Sequence, residues 1–211
     1  MGEALIRLAL IGAALAGWFW TQHLLGQRLV AAGIRDRVHE LTSPLHAWFL
    51  AHPRATNVTL IASSAVIDLI GIYLIAVSIF GPSFRPFIAL FVLFVLRQLC
   101  QALCALPTPP GAIWRYPGVP ALLVTYGTDN DYFFSGHTAI AVLGAIELAH
   151  VGPPWLAVAM CVIAALEAAT VLVLRAHYTM DVFAAALAAF FAYNLGAATA
   201  PGIDAWIRSI L

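Results

Sequence analysis

Long apolar stretches decide the fold, and the clearest of them is NVTLIASSAVIDLIGIYLIAVSIF, residues 57–80. It contains a single charged side chain, Asp68. A helix needs about 20 mostly apolar residues to cross the hydrocarbon core of a membrane. Because the backbone groups must pair internally in lipid, we expect the stretch to be helical. It therefore predicts a membrane-spanning helix.

Five other stretches have the same character, so the sequence predicts an all-α fold with six spans in one domain, residues 1–211. These spans are residues 4–26, 57–80, 85–106, 135–151, 154–174 and 179–199. Gly and Pro punctuate the turns between them. No small-residue cleavage site follows the first stretch, which is therefore interpreted as a retained helix and not as a signal peptide. In the first long connection, residues 37–50 predict a short interfacial helix with Trp48 and Phe49 on its apolar face.

The composition points to the same class of protein. Hydrophobic residues make up 63% of the chain and charged residues 9%, whereas about 25% of a soluble domain is charged. The net charge is zero, which argues against a nucleic-acid partner. The three cysteines lie in apolar stretches and predict buried apolar side chains, not a disulfide framework. An Ala-rich chain whose basic residues are all Arg is typical of GC-rich bacteria, so we expect a bacterial inner membrane.

A polar block in the second half of the chain predicts a nucleophile. The block is RAHYTMDV, residues 175–182. His177 and Asp181 are four residues apart at the start of a predicted helix, so they share a face. Asp181 can accept a proton from one ring nitrogen of His177, which leaves the other nitrogen free to attack an electrophile. Asp181 would also stabilise the positive charge that develops on the imidazole.

An earlier block, DYFFSGHT, residues 131–138, predicts an anion site at the start of a helix. Ser135 is a good N-cap and Gly136 allows close approach to the backbone. Free N–H groups at a helix N-terminus bind anions, and His137 at that position can act as a general acid. Asp131 is expected at the same membrane face.

Three further residues complete the predicted phosphate-binding set. Arg175 can pair bidentately with phosphate oxygens, Tyr178 is the neighbour of His177, and Arg97 lies towards one end of the third span. Zinc is the competing use of two His and two Asp side chains, but a ligand spacing such as His-Glu-x-x-His is absent. We therefore expect no metal and no cofactor.

The remaining polar residues in apolar surroundings are interpreted as structural. Five histidines are expected to be polar anchors at the interface: His23, His39, His46, His52 and His150. Asp68, Glu147 and Glu167 are expected to be hydrogen-bonded carboxyl groups, with the lining of a lipid cavity as the alternative.

Together the two blocks resemble the sphingomyelin synthase branch of the type-2 phosphatidic acid phosphatase superfamily. That branch has Gly-Asp-Tyr-x-x-Ser-Gly-His-Thr and later His-Tyr-[Ser/Thr]-x-Asp-Val; here Asn130 replaces the Gly. Arg97 followed by LPTPPG, residues 106–111, is similar to a third motif. The resemblance implies a six-helix membrane fold and a phosphohistidine mechanism. His177 would attack the phosphorus, Asp181 would orient it, and His137 would protonate the leaving diacylglycerol oxygen and later deprotonate the acceptor.

Three functions remain open at this stage. A lipid alcohol as acceptor would make a head-group phosphotransferase resembling sphingomyelin and ceramide phosphoethanolamine synthases, with a phospholipid donor. With water as acceptor, the protein would be a lipid phosphate phosphatase or a phospholipase C-like hydrolase. The position of Arg175 slightly favours the phosphatase. The third candidate function is that of a transporter or scaffold without catalysis. An oligomer is compatible with each of the three functions.

Orientation is predicted in two opposite ways. The resemblance implies that the histidines face the periplasm. The positive-inside rule favours the reverse, because the loops on the predicted site side hold more Arg than the opposite side. On the site side are Arg28, Arg35, Arg37, Arg54 and Arg115, against Arg7, Arg85 and Arg208. We expect the periplasmic placement.

Overall fold

The computed structural model describes residues 2–27, 34–126 and 132–210. Within these ranges the chain forms helices and connecting segments without strands, which confirms the all-α class. The helices are α1 (Gly2–Leu25), α2 (Arg37–Leu41), α3 (Ser43–Ala51), α4 (Pro53–Phe80), α5 (Arg85–Leu103), α6 (Gly136–Val151), α7 (Pro154–Val173) and α8 (Thr179–Ser209).

Five of the described helices are long and apolar enough to cross a membrane: α1, α4, α5, α7 and α8. The prediction of six spans is therefore confirmed for five helices and not for the sixth. Helix α6 has 16 residues and is about 24 Å long, against a hydrocarbon core of about 30 Å. It is short because it begins inside the bundle, where Gly136 lies beside the Arg97 side chain of α5.

Helix α8 is longer than predicted. The sequence prediction ended at residue 199, before Pro201, but the helix continues through Pro201 to Ser209. Its extension places Asp204 against the α4–α5 turn, where the carboxylate accepts the Ser83 hydroxyl at 2.8 Å and the Phe84 N–H at 2.9 Å. These tertiary bonds hold the last turns of α8 beyond the proline.

Two clusters of contacts define the ends of the bundle. At one end Arg7 of α1 donates to the carbonyls of Ser78 (2.9 Å) and Gly81 (3.0 Å), and its guanidinium lies 3.8 Å from Asp204. The other end, here called the motif end, holds α2, α3 and the α7–α8 turn, where the His46 ring bonds to the Val173 carbonyl. Both polar sequence blocks are therefore near the motif end.

The predicted interfacial helix over residues 37–50 is wrong in detail, because two short helices, α2 and α3, occupy this segment. The break falls at Thr42, and Pro44 occupies the first turn of α3. Proline lacks the N–H that a continuous helix would need at this point. Trp48 is 45% exposed, whereas His39 and His46 are buried. The inner face of the segment is thus the histidine face.

Residues 104–126 form a non-helical segment that dips into the bundle. The Asp68 carboxylate, in the middle of α4, accepts the N–H groups of Leu122 (2.8 Å) and Leu123 (2.9 Å). Leu123 packs so closely on Gly71 that a Cβ there would lie 2.0 Å from its Cδ1. Non-helical backbone at membrane depth needs such protein partners. Asp68 is therefore a structural carboxyl group that holds this segment.

Candidate active site

The α7–α8 turn is folded back on the end of α7. The N–H groups of Ala176 and His177 both donate to the Val171 carbonyl, at 2.8 and 3.3 Å, and Arg175 adopts a φ of 54°. A non-glycine residue in the left-handed region costs free energy, so the surrounding contacts must hold it. The turn presents His177 just before α8 begins.

Asp181 connects this turn to α8. It is fully buried, and its Oδ2 accepts the Tyr178 N–H at 2.9 Å, which caps the helix. The same oxygen lies 3.3 Å from Nδ1 of His177. The predicted pairing of His177 with Asp181 is therefore present in the fold. A proton held on Nδ1 leaves Nε2 of His177 as the nitrogen available for chemistry.

The first polar block starts α6 and is bonded to the second. Ser135 is the N-cap, and its hydroxyl oxygen accepts the Thr138 N–H at 3.3 Å. The Ser135 N–H donates to the Asp181 carbonyl at 3.2 Å, which joins the two blocks. His137 lies edge-on against Trp114, with ring centroids 4.9 Å apart. Its Nε2 is buried and has no partner among the described residues.

Both histidines line one cavity at the level where α6 begins. Its walls come from α1, α4, α5, α6, the segment 104–126 and the α7–α8 turn; the polar or aromatic residues in them include Trp18, Arg97, Trp114, Thr125, His137 and His177. The cavity measures about 40 Å³, which is room for roughly one to three water molecules. A lipid head group would have to displace part of the wall.

Arg97 is the cation in the cavity wall. It is 5% exposed, and its guanidinium donates to Oε1 of Gln22 in α1. Gly136, the first residue of α6, also lines the cavity, and a Cβ there would lie 3.6 Å from Nε of Arg97. The structure thus brings two predicted phosphate-binding residues, Arg97 and Gly136, together with both histidines, and Ser135 is adjacent.

Two other predicted phosphate-binding residues bind the proline-rich segment instead. Arg175 donates to the Pro110 carbonyl at 2.6 Å and to the Ser43 hydroxyl at 3.2 Å. Tyr178 donates to the Pro107 carbonyl at 3.0 Å. Neither is among the described residues that line the cavity. Asp131 lies outside the described residues, and the phosphate-binding roles of all three stay predictions.

Sequence reasoning missed three residues of the first connection that hold the turn. Nε2 of His39 lies 2.9 Å from the His177 carbonyl, and Nδ1 of His46 lies 2.8 Å from the Val173 carbonyl. The expectation that these two histidines are interface anchors is wrong, because both are buried. Asp36 accepts the N–H of Thr179 at 2.6 Å and its hydroxyl at 2.8 Å. The seven-residue spacing of the histidines, typical of one helix face, was the available signal.

Burial and hydrogen bonding act on the pKa values of these supporting residues. Burial lowers the pKa of His46, and the nearby charge of Arg175 lowers it further. For Asp36, burial alone would raise the pKa, but the hydrogen bonds from Thr179 outweigh it, so the net pKa is lowered. His46 is thus held neutral and Asp36 is held ionised. Within the described ranges, no three His, Cys, Asp or Glu side chains converge as metal ligands would.

One family model matches the chain, and it covers residues 35–198, more than three quarters of the sequence. Its description is AtPDCT1/2, a family of phospholipid head-group transferases. No curated protein and no solved structure matches the chain. The match overturns the assignment to the sphingomyelin synthase branch, which rested on short motifs. Both polar blocks and both supporting histidines fall inside the matched range, and the chain belongs to the AtPDCT1/2 family.

Proposed function

We propose that this protein transfers a phospho-head group, phosphocholine in the first instance, from a glycerophospholipid to a lipid alcohol of the diacylglycerol class. The observation that supports this most directly is the shared cavity, in which His137, His177 and Arg97 meet. Membership in a family of head-group transferases agrees with it. The reaction passes through a phosphohistidine on His177.

In the first half-reaction Nε2 of His177 attacks the phosphorus. The bond between phosphorus and the diacylglycerol oxygen breaks, and His137, which takes up a proton when the anionic phosphate binds beside it, gives that proton to the oxygen. Asp181, 3.3 Å from Nδ1 of His177, keeps the ring oriented and stabilises its positive charge. The products are diacylglycerol and a head group bonded through phosphorus to His177.

In the second half-reaction neutral His137 takes the proton of the acceptor hydroxyl. The acceptor oxygen attacks the phosphorus, the phosphorus–nitrogen bond breaks, and His177 is regenerated. Arg97 and the free N–H groups at the start of α6 offset the negative charge on the phosphoryl oxygens in both steps. Gly136 keeps the space beside Arg97 open for those oxygens.

The assay uses purified protein in vesicles with two marked substrates. The donor is phosphatidylcholine with a deuterated choline group, and the acceptor is diacylglycerol with odd-numbered acyl chains. We expect deuterated phosphatidylcholine carrying the odd chains, detected by mass spectrometry, and parallel double-reciprocal plots that indicate a covalent intermediate. Release of free phosphocholine without the mixed product would instead identify a hydrolase, and movement of intact lipid without exchange a transporter.

Three variants connect the assay to the site. We expect His177→Ala to abolish transfer, and Asp181→Asn to lower kcat by roughly 10²–10⁴-fold, as for other carboxylates that orient a catalytic histidine. His150→Ala is the matched control, because His150 is exposed and bonds to the Ile146 carbonyl within its own helix. Full turnover by His177→Ala would refute the assigned nucleophile.

We also propose that the motif end faces the periplasm of a bacterial inner membrane. The test places one cysteine in the segment 104–126 by Arg115→Cys, at an exposed position. The three native cysteines are first replaced by alanine. The prediction that they are buried is wrong, because Cys100 and Cys104 are half-buried and Cys161 is exposed. Labelling by an impermeant maleimide in intact cells supports this placement, and labelling only after the cells are broken contradicts it.

A further inference from the structure

A large apolar groove runs between α1 and α5 on the outside of the bundle. It measures about 630 Å³ and is lined by side chains such as Ala13, Trp20, Phe91 and Leu99, together with Gly17. Helices α1 and α5 are both candidate spans, so the groove opens towards lipid. It is a surface that an acyl chain can fill.

The groove and the catalytic cavity are neighbours. Trp18 and Phe94 line both of them, and their rings are stacked at 4.4 Å with an interplanar angle of 4°. This pair is the partition between the two spaces. A lipid in the groove therefore lies next to the cavity that holds His137 and His177.

One end of the groove is polar, and the hydrogen bonds there fix the orientation of Gln98. Oε1 of Gln22 accepts the guanidinium of Arg97, and the Gln98 amide lies 3.2 Å from the same oxygen. A guanidinium can only donate, so the Gln22 atom must be oxygen, and Gln98 must contribute its NH₂ group. Oε1 of Gln98 is then an acceptor that is buried and has no partner among the described residues.

The neighbouring threonine cannot satisfy that oxygen. The Thr21 hydroxyl donates within its own helix, with the carbonyls of Gly17 (3.1 Å) and Trp18 (2.9 Å) as acceptors. A buried acceptor without a donor costs free energy, so such atoms mark sites where a ligand or water donates. The ligand that suits Gln98 has an apolar chain and a hydroxyl group.

We propose that the groove between α1 and α5 binds the lipid alcohol acceptor, with an acyl chain along the groove and the hydroxyl donating to Oε1 of Gln98. Phosphatidylcholine does not fit this end, because its ester, phosphate and choline groups include no N–H or O–H donor. The acceptor role of the alcohol rests on the proposed function. Gln98 is thus a binding residue and not a catalytic one. For the reaction, the hydroxyl leaves Gln98 and moves past the Trp18–Phe94 partition to reach His137.

The chain offers a matched pair of variants to test the groove. A Cβ at Gly17 or at Gly12 meets nothing within 4 Å, but of the two only Gly17 lines the groove. We expect Gly17→Leu to raise the KM for diacylglycerol about tenfold or more while the KM for phosphatidylcholine stays unchanged. Gly12→Leu should leave both constants unchanged. Equal effects of the two variants on both substrates would overturn the proposal.

A binding measurement tests the same site without turnover. Diacylglycerol with a diazirine in its acyl chain is photocrosslinked to the unsubstituted protein, and the labelled peptides are identified. We expect labelling of α1 and α5 that unlabelled diacylglycerol displaces about tenfold better than its O-methyl ether, and we expect Gln98→Met to remove that preference. Labelling confined to other helices, or a preference that persists in Gln98→Met, would overturn the groove site.

The two experiments separate this inference from the proposed function. Groove labelling with a hydroxyl preference but without head-group transfer would leave the binding site standing and refute the transferase. Transfer with labelling elsewhere would refute the groove and leave the transferase standing.

Discussion

Replacement of Asp68 by Asn should weaken both the fold and the site, although Asp68 is not in the cavity wall. Its two carboxylate oxygens accept the N–H groups of Leu122 and Leu123. Leu123 and the two residues that follow it line the cavity, and the Trp114 indole donates to the Thr125 carbonyl at 3.2 Å. The carboxylate therefore positions a wall that contacts His137.

The magnitude follows from the number of acceptors. A hydrogen bond to a charged group contributes about 1.5–3 kcal/mol. Asn keeps one acceptor oxygen and turns an NH₂ group towards the other N–H, so one of the two bonds is lost. The bond to Leu122 is exposed and the bond to Leu123 is part-buried, so the exposed bond is the one expected to break. We expect a loss near the lower limit, about 1.5 kcal/mol, or roughly 3–6 °C in Tm.

The assay combines thermal unfolding in detergent with the head-group transfer reaction. We expect Asp68→Asn to lower Tm by that amount and kcat/KM about tenfold, since the cavity wall moves. Glu167→Gln is the matched control. It removes another carboxyl group from a membrane helix but keeps an acceptor for the Ser63 hydroxyl that Glu167 binds. If Asp68→Asn changed Tm and kcat/KM no more than Glu167→Gln does, the positioning argument would be refuted.

Two further predictions concern the first connection. Asp36→Ala should lower the unfolding free energy by about 2 kcal/mol and lower transfer activity, because Asp36 caps both α2 and the start of α8. The control Glu40→Ala removes exposed ion pairs and should change neither the unfolding free energy nor the activity. The lowered pKa of His46 means that the unfolded chain binds a proton more readily than the folded one, so Tm should fall as the pH drops below about 6.5. His46→Asn keeps a donor for Val173 and removes this titration, so a Tm profile equal to that of the wild type between pH 5 and 8 would contradict the assignment to His46.

The membrane helices could be predicted because their information is local. Residues 57–80 carry enough apolar side chains to identify a span by themselves, and α4 contains that stretch. The ends of α6 could also be placed from the sequence, with Ser135 as its N-cap, but the depth of α6 in the bundle could not. It depends on how far the segment 104–126 enters the bundle, and that is set by Asp68, Gly71 and Leu123 acting across the fold. Local hydropathy counts residues in a stretch but does not report its depth.

The residues of the candidate site also fall into two groups, those that local sequence could predict and those that depend on long-range contacts. The pairing of His177 with Asp181 followed from helix periodicity, because four residues bring two side chains to one face. The inclusion of Arg97 in the phosphate-binding set rested partly on the motif resemblance, and its position beside Gly136 was not predicted. The supports supplied by Asp36, His39 and His46 reach residues more than a hundred positions away. The spacing of the two histidines can indicate a shared face, but no local pattern shows which distant residues that face contacts. The branch assignment failed for a related reason, since short motifs are shared among families whose remaining residues differ.

The acidic residues of the membrane helices show why long-range partners matter for function here. A carboxylate in the membrane is costly unless it is paired, and each of three such groups is paired with a different element: Asp68 with the segment 104–126, Glu147 with Arg85 of α5, and Glu167 with Ser63 of α4. These partners lie 54 to 104 positions away in sequence. Asp181 differs, because its partner His177 is four residues away and lines the cavity. A carboxyl group with a distant partner fixes the position of a helix or segment, whereas one that orients a histidine beside a cavity could affect a substrate only through that histidine, as the proposed function requires. The distinction predicts that variants that break the partner bonds of the first three, as Asp68→Asn does and the control Glu167→Gln does not, lower stability and activity together. Asp181→Asn should lower kcat with a much smaller change in Tm.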